Sequence, residues 1–280
     1  FLPQPAEEML KRRFTNLPDD CTWVAGMLAV LGKPQPVSAV RELSNLDDST
    51  LARCLLALET RGIVQHIDGK VFFTHDLMRE VAYRSAPSSA RALMHRRAAD
   101  LLLGKATPGL VAQHYAAAGD DYEAGVYALQ AAEEASKASL HSDSEFYYQL
   151  AMRAGGAAEQ AVAARLYARQ LAQLGRVSDV EQLREYLLPD RVDDELLLSL
   201  VQLERELSTG RSSLSSAIQS AREIISKLQS LEAAEVALAI GTLFDIAEDA
   251  ANPVFGDELA NALGAAAAGS SNTLVRLQVE

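Results

Sequence analysis

FFTHDLMREVAY, residues 72–83, is the stretch that decides the fold of the first part of the chain. A strand that ends at Phe73 is predicted to run straight into a helix, and His75 and Asp76 lie at the junction between them. Free backbone amides and the positive end of the helix dipole meet at a helix start. The junction therefore suits a phosphate group.

The residues before this stretch predict a hairpin preceded by short helices. Asp68-Gly69 separates two β-rich runs, residues 63–67 and 71–73, and Asp-Gly is a strong two-residue hairpin signal. Short helices are predicted upstream at residues 7–16, 18–31, 37–43 and 47–61. Helices followed by a hairpin predict a winged-helix domain over residues 1–86.

The rest of the chain, residues 87–280, predicts only helices. The helical segments are 89–103, 108–118, 121–138, 141–154, 157–174, 177–188, 193–208, 211–229, 231–251 and 255–268. Short turns rich in Gly or Pro separate them, which indicates a helical solenoid. The predicted fold class is thus mainly α: a winged-helix domain with a small β-hairpin, followed by an α-helical solenoid.

Two stretches of this solenoid resemble the tetratricopeptide repeat. Tyr115 and Tyr148 are 33 residues apart, close to the family period of about 34. The small residues that the first repeat needs are Ala112, Ala124, Ala128 and Ala131, and Ala157, Ala161 and Ala164 stand at the same offsets in the second. Glu145 departs from the pattern because it occupies a small-residue position. An irregular helical bundle is the alternative.

Aromatic residues are scarce, at 6% of the chain, so their clustering near the repeats is informative. A solenoid commonly holds a protein or a small ligand on its concave face. The candidate residues for binding a protein or small-molecule inducer are Tyr122, Tyr127, Phe146, Tyr147 and Tyr148. Packing between helices is the competing interpretation for all five.

Residues 8–102 resemble the winged-helix segment that follows the nucleotide-binding core of STAND-type signalling ATPases. The closest likeness is to large bacterial transcriptional regulators with a helical-repeat sensor. The residues that carry it are Leu31, Gly32, Leu55, Leu58, Gly62, Ile63, Val64, Phe73, His75, Asp76, Leu77, Arg79, Glu80, Tyr83, Arg91 and His95. Residues 74–77, THDL, are similar to the Met-His-Asp motif of plant immune-receptor ATPases, with Thr74 where Met is usual.

This resemblance implies a role for the junction. In that family the histidine touches the β-phosphate of bound ADP and holds the protein off. His75 would then be the nucleotide sensor and Asp76 its local support. The alternative is that His75 is a residue of the helix cap that packs on the hairpin.

The chain does not contain the loop that would hold a nucleotide. A phosphate loop needs Gly, four residues, then Gly-Lys-Ser/Thr, but Gly32 follows Gly26 one residue too late and Pro34 replaces the hydroxyl residue. No cofactor is therefore expected in this fragment. ATP or ADP is expected in the parent protein, on an upstream nucleotide-binding domain.

Other chemistry is sparse. The five histidines show no paired metal spacing, and no nucleophile motif is present. Cys21 and Cys54 lie in apolar helical patterns and are predicted to be buried free thiols, which fits a reducing cytoplasm. No apolar run is long enough to span a membrane. The chain is thus predicted to be non-catalytic, cytoplasmic and, from its two ends, cut from a longer protein.

Charge bears on nucleic-acid binding. The chain has a net charge of −12, and the acidic excess lies after residue 100. Arg53 and Arg61 on the candidate recognition helix are balanced by acidic neighbours, so direct nucleic-acid binding is not expected. The predicted function is a regulatory and sensor fragment of a STAND-type ATPase. The alternative is a DNA-binding winged-helix regulator with a helical dimerisation domain.

Overall fold

The structure, a computed structural model, describes residues 4–187, 192–209, 213–227, 233–249 and 251–269. The chain forms two compact units that divide between residues 134 and 135. The mainly helical fold class is confirmed, since helices make up most of the described residues. The predicted domain boundary at residues 86 and 87 stays a prediction.

Short helices and a small sheet form the first unit. Its elements are α1 (Gln4–Phe14), α2 (Asp19–Leu31), β1 (Gln35–Pro36), α3 (Val37–Ser44), α4 (Asp48–Thr60), β2 (Val64–Ile67), β3 (Lys70–Phe73), α5 (Asp76–Ser85), α6 (Ser88–Leu102), α7 (Pro108–Ala118) and most of α8 (Asp121–Lys137). Helix α2 ends before Gly32, whose φ of 67° lies in the left-handed region that glycine adopts without steric cost. Helix α4 begins after Asp47, whose side chain accepts hydrogen bonds from the amides of Ser49 and Thr50.

The three strands form an antiparallel sheet in the order β1-β3-β2. The predicted hairpin is confirmed: β2 pairs with β3, with Val64 opposite Phe73, and Asp68-Gly69 forms the turn with φ of 50° and 75°. Strand β1, which pairs with the other edge of β3, was not predicted. It has two residues, one of them Pro36, so it shows no alternating pattern.

Two apolar clusters make up the core of this unit. One joins α2 and α4 to the hairpin; its fully buried members include Val24, Leu58 and Val71. The other joins α2 and α3 to α6 through Met27 and Met94. Helix α6 thus shares a core with two of the helices that precede the hairpin.

All the regular elements that the structure describes in the second unit are helices. Its elements are α9 (His141–Ala154), α10 (Ala157–Gln173), α11 (Val177–Val180), a 3-10 segment (Glu181–Tyr186), α12 (Val192–Ser208), α13 (Leu214–Lys227), α14 (Ala233–Asp249) and α15 (Pro253–Gly269). The helix predicted at 177–188 is α11 and the 3-10 segment instead. Residues 211–212, 228–229, 231–232 and 250 of the predicted segments lie outside the described residues.

The small residues of the two tetratricopeptide-like stretches differ in burial. Ala112, Ala124, Ala128 and Ala131 are buried, as their pattern predicts. In the second stretch only Ala164 is buried, because Ala157 is exposed at the start of α10 and Ala161 is half-buried. The buried small residues of α10 are instead Ala163, Ala164, Ala168 and Ala172.

Within the described parts of the chain, no helix is both long enough and apolar enough to cross a membrane.

Candidate functional site

His75 and Asp76 lie at the start of α5, as the sequence predicts. His75 is the N-cap residue, with extended backbone at φ −148° and ψ 147°, and its side chain makes no capping hydrogen bond. Asp76 is the first helical residue, and both side chains are exposed. The imidazole of His75 has no hydrogen-bond partner among the residues that the structure describes. It is therefore available to an external group at a helix N-terminus.

Thr74 anchors this junction to the sheet. Its hydroxyl donates a hydrogen bond to the carbonyl oxygen of Gly62 at 2.9 Å, and its backbone amide donates to that of Ile63 at 3.1 Å. Methionine could make only the second of these bonds. The threonine that departs from the Met-His-Asp motif thus holds the strand end against the beginning of β2 and positions the backbone of His75.

A small cavity of about 140 Å³ opens beside the junction. Its lining residues are Leu28, Gly32, Lys33, Pro34, Phe72, Phe73, Asp76 and Arg79. In the described part of the chain, neither Lys33 nor Arg79 forms an ion pair. The cavity therefore combines an aromatic wall with two cations and one carboxylate. The sequence indicated Asp76 and Arg79 but gave no sign that Lys33 would join them from the end of α2.

Three residues of the family resemblance contact one another behind the junction. The hydroxyl of Tyr83 is 3.0 Å from Nε2 of His95. The guanidinium of Arg91 lies 5.2 Å from the centre of the Tyr83 ring and donates to the carbonyl oxygen of Ala86 at 3.1 Å. These contacts connect α5 to α6, so a shift of α5 at the junction would also displace the α6 residues that contact it.

A second histidine extends this cluster. Nδ1 of His95 is 2.9 Å from Nδ1 of His114 on α7, and both side chains are buried. One nitrogen must carry the hydrogen and the other must accept it, so at least the accepting ring is neutral. Burial, with His95 as a second cause, lowers the pKa of His114 to about 4. Burial and then Arg91 lower the pKa of His95.

No spacing in the sequence indicates the histidine pair, because its members are 19 residues apart on different helices. The described residues contain no group of three His, Cys, Asp or Glu side chains that could hold a metal ion. The contact between the two rings joins α6 to α7.

The five aromatic residues predicted to bind an inducer fall into two groups. Tyr148 is 2% exposed and stacks on Tyr167 with ring centres 5.8 Å apart, so its side chain belongs to the core. Tyr127 is half-buried and stacks on Tyr115 at 5.7 Å. Tyr148 thus has the packing role that was the competing interpretation, whereas the role of Tyr127 in binding an inducer stays a prediction.

The other three aromatic residues retain surface that a partner could reach. Tyr122 is 60% exposed and Phe146 is 47% exposed. Tyr147 is half-buried and meets Phe146 edge-on, with ring centres 5.1 Å apart. Their role in binding an inducer stays a prediction.

The arginines of the candidate recognition helix are engaged within the protein. Arg61 donates hydrogen bonds to the carbonyl oxygens of Arg13, Thr15 and Asn16, at 3.1, 2.6 and 3.3 Å. Arg53 donates to the hydroxyl of Thr50 at 3.1 Å. The guanidinium of Arg61 therefore ties the end of α4 to the connection between α1 and α2.

A larger cavity, of about 370 Å³, lies between α3 and α6. Its arginine, Arg97, donates to the carbonyl oxygen of Leu43 at 3.1 Å and lies over the ring of Trp23. This cation is already used to bind α6 to the end of α3, so the smaller cavity beside Asp76 is the better candidate for a site.

The chain was compared with known families, proteins and structures. No family model matches it, and no curated protein matches it either. Among solved structures it is similar to the crystal structure of a signal transduction ATPase with numerous domains (STAND) protein with a tetratricopeptide repeat sensor, from Pyrococcus horikoshii. The identity is 13%, the TM-score is 0.38, and the match covers 97% of this chain and 47% of that one. This likeness does not assign the chain to a family.

Proposed function

We propose that this chain is a non-catalytic regulatory and sensor portion of a STAND-type signalling ATPase, in a cytoplasmic transcriptional regulator. A winged helix over residues 1–86 would couple nucleotide state to a tetratricopeptide-like repeat over residues 87–280. The repeat would bind a protein or small-molecule inducer, and an upstream domain would bind ATP or ADP. The observation that carries the proposal is the free, exposed imidazole of His75 at the N-terminus of α5.

The chemistry of the junction supports this role. A neutral imidazole can donate one N–H to a phosphate oxygen, and the helix dipole of α5 adds positive potential there. Lys33 and Arg79 bring two further cations to the adjoining cavity. Asp76 stabilises the first turn of α5 as an acidic residue at a helix N-terminus.

The surroundings of the junction support a coupling role. The order α2, α3, α4 and then hairpin β2-β3 is the arrangement on which the winged-helix prediction depends. Thr74 holds the junction to the hairpin, and Tyr83 connects α5 to His95 on α6. A group bound at His75 would thus act on α5, which is linked to the hairpin through Thr74 and to α6 through Tyr83.

The surface of α4 favours a protein partner over DNA. A DNA-reading helix needs exposed cations that can reach phosphates and base edges. Arg61 is held by three carbonyl oxygens, whereas Leu56 on the same helix is 65% exposed.

The test is ADP release from the parent protein, which includes the upstream domain. A fluorescent ADP analogue is bound, and its dissociation is followed after addition of excess ADP. His75→Ala should release it about tenfold faster or more, since a hydrogen bond to a charged group contributes about 1.5–3 kcal/mol. His66→Ala is the matched control, because His66 is exposed on β2 and lies outside the junction. Equal release rates for the wild-type protein and His75→Ala would rule the sensor role out.

A further inference from the structure

The two cysteines of the chain meet in the core of the first unit. Cys21 lies on α2 and Cys54 on α4, and their Sγ atoms are 2.9 Å apart. The side chains are 3% and 2% exposed and belong to the apolar cluster that joins these helices to the hairpin. The sequence predicts two buried thiols, but it gives no reason for them to face one another.

The distance between the sulfur atoms is close to that of a bond. A disulfide has an S–S length of about 2.05 Å, so less than an ångström separates the observed contact from a covalent bridge. Two thiols that only filled core space could point in any direction. Here the two sulfur atoms meet between α2 and α4.

We propose that Cys21 and Cys54 form an intramolecular disulfide when the protein meets a small oxidant such as a peroxide. Each thiol loses one proton and one electron as the S–S bond forms. The O–O bond of the peroxide breaks, and it accepts both protons and both electrons to leave two molecules of water when the oxidant is hydrogen peroxide. A dithiol reductant reverses the step by thiol–disulfide exchange.

The environment of the pair slows its oxidation. Burial, together with the hydrogen bond to Cys21, raises the pKa of the Cys54 thiol to about 12. A thiol attacks oxidants as its thiolate, so the folded protein should keep the pair reduced unless oxidant is plentiful. Buried sulfur also excludes bulky thiols, which favours reaction of the two cysteines with each other over mixed disulfides.

The bridge would act on the element that leads into the hairpin. It links residues 33 positions apart in the sequence and encloses β1 and α3 between them. Closing such a loop restricts the unfolded chain and stabilises the native fold. It would also fix α4 against α2, so that the hairpin and the junction at His75 could no longer shift with α4.

The test treats the whole chain with hydrogen peroxide or diamide and measures free thiols after denaturation, intact mass and thermal unfolding. We expect a loss of two thiols, a mass decrease of about 2 Da, and a rise in Tm of about 4 °C or more, all reversed by dithiothreitol. A tryptic peptide pair linking Cys21 to Cys54 should appear. Cys21→Ala and Cys54→Ala should each keep their remaining thiol and show no rise in Tm.

Three results would overturn the inference. The first is that both thiols survive an oxidant dose that fully oxidises a dithiol peptide in the same tube. The second is that oxidation joins two chains instead of closing a loop within one. The third is that the bridge forms but lowers Tm, which would mean that the native fold cannot accommodate it.

Discussion

Tyr115 in the first unit and Tyr148 in the second are 33 residues apart, and each is almost fully buried. Each stacks on a tyrosine of the following helix, which is Tyr127 in one case and Tyr167 in the other. The partner lies 12 residues ahead in the first pair and 19 ahead in the second. The same sequence period therefore produces two different registers.

The position of the turn explains the difference. Helix α7 ends at Ala118, three residues after Tyr115, whereas α9 ends at Ala154, six residues after Tyr148. One extra helical turn thus separates Tyr148 from its loop. Because the next helix runs back antiparallel, the stacking partner of Tyr148 must also lie about one turn further along that helix. These two extra turns account for the seven residues by which the separations of 12 and 19 differ.

The polar ends of the two pairs also differ. In the first, the hydroxyl of Tyr115 donates to Asp100 at 2.8 Å, and Arg96 lies 3.5 Å from that carboxylate. In the second, the hydroxyl of Tyr167 donates to Glu145 at 2.6 Å, and Arg176 donates to the other oxygen at 3.0 Å. In the first pair, the tyrosine that donates to a carboxylate lies on the earlier helix, α7. In the second pair, it lies on the later helix, α10. Glu145 departs from the repeat pattern, and its contacts with Tyr167 and Arg176 explain why a carboxylate occupies this position.

Truncating the two buried tyrosines should have the largest effect. Tyr115→Ala and Tyr148→Ala should each lower the free energy of unfolding by about 3–5 kcal/mol, because a large side chain leaves a cavity. Tyr122→Ala, at a 60% exposed site, should change it by about 0.5 kcal/mol or less. Urea denaturation followed by circular dichroism measures the loss. Hydrogen exchange should place it in α7 or α9 respectively, and exchange that rises equally in both would contradict two separate registers.

The next largest effect should be a difference between the two units in the pH at which each loses stability. The lowered pKa values of His95 and His114 mean that the unfolded chain takes up protons before the folded one. Stability of the first unit is thus complete above about pH 6.5 and is lost as pH falls towards 4, by about 2–3 kcal/mol. His114→Gln should flatten this loss between pH 6.5 and 4. A wild-type protein whose unfolding midpoint is unchanged over that range would contradict the lowered pKa values.

The second unit should respond at lower pH. The hydrogen bond from Tyr167, and then that from Arg176, lower the pKa of Glu145. Its contribution is present above about pH 4.5 and is lost as pH falls below that value. Hydrogen exchange of α9 and α10 should therefore rise only below the range that affects α6 and α7. Glu145→Gln is the variant that should abolish this acid step.

Removing single hydroxyls should give the smallest effects and the sharpest comparison. Tyr115→Phe and Tyr167→Phe each lose a hydrogen bond to a carboxylate, at a cost of about 1–2 kcal/mol. Tyr127→Phe keeps the stacked ring and should cost about 0.3 kcal/mol or less. Thermal unfolding of the three variants measures this order. A Tyr127→Phe loss as large as the others would mean that the hydroxyl contacts do not distinguish the pairs.

Local signals predicted the helices and the hairpin, because apolar periodicity, Gly and Pro stops and Asp68-Gly69 act over a few residues. They also placed His75 and Asp76 at the start of α5. Strand β1 was missed, since two residues carry no alternation. Contacts that join distant helices were missed too. His95 with His114 and Cys21 with Cys54 depend on how the helices pack, which no spacing in the sequence records.

The repeat shows the same limit. The period of 33 residues located both tyrosines correctly, but extending it through the turn placed a packing residue at Ala157, which is exposed. When the loop between two helices begins about one helical turn later, the packing positions on the second helix shift along the sequence. The pattern of one helix therefore cannot be carried across a loop whose position is unknown.

The most direct test of the proposed function is to purify the full-length parent protein and identify its bound nucleotide by chromatography after denaturation. We expect about one equivalent of ADP in the resting protein, which the inducer would make exchangeable for ATP. A folded parent that holds no nucleotide, and binds none when ADP or ATP is added with Mg²⁺, would contradict it.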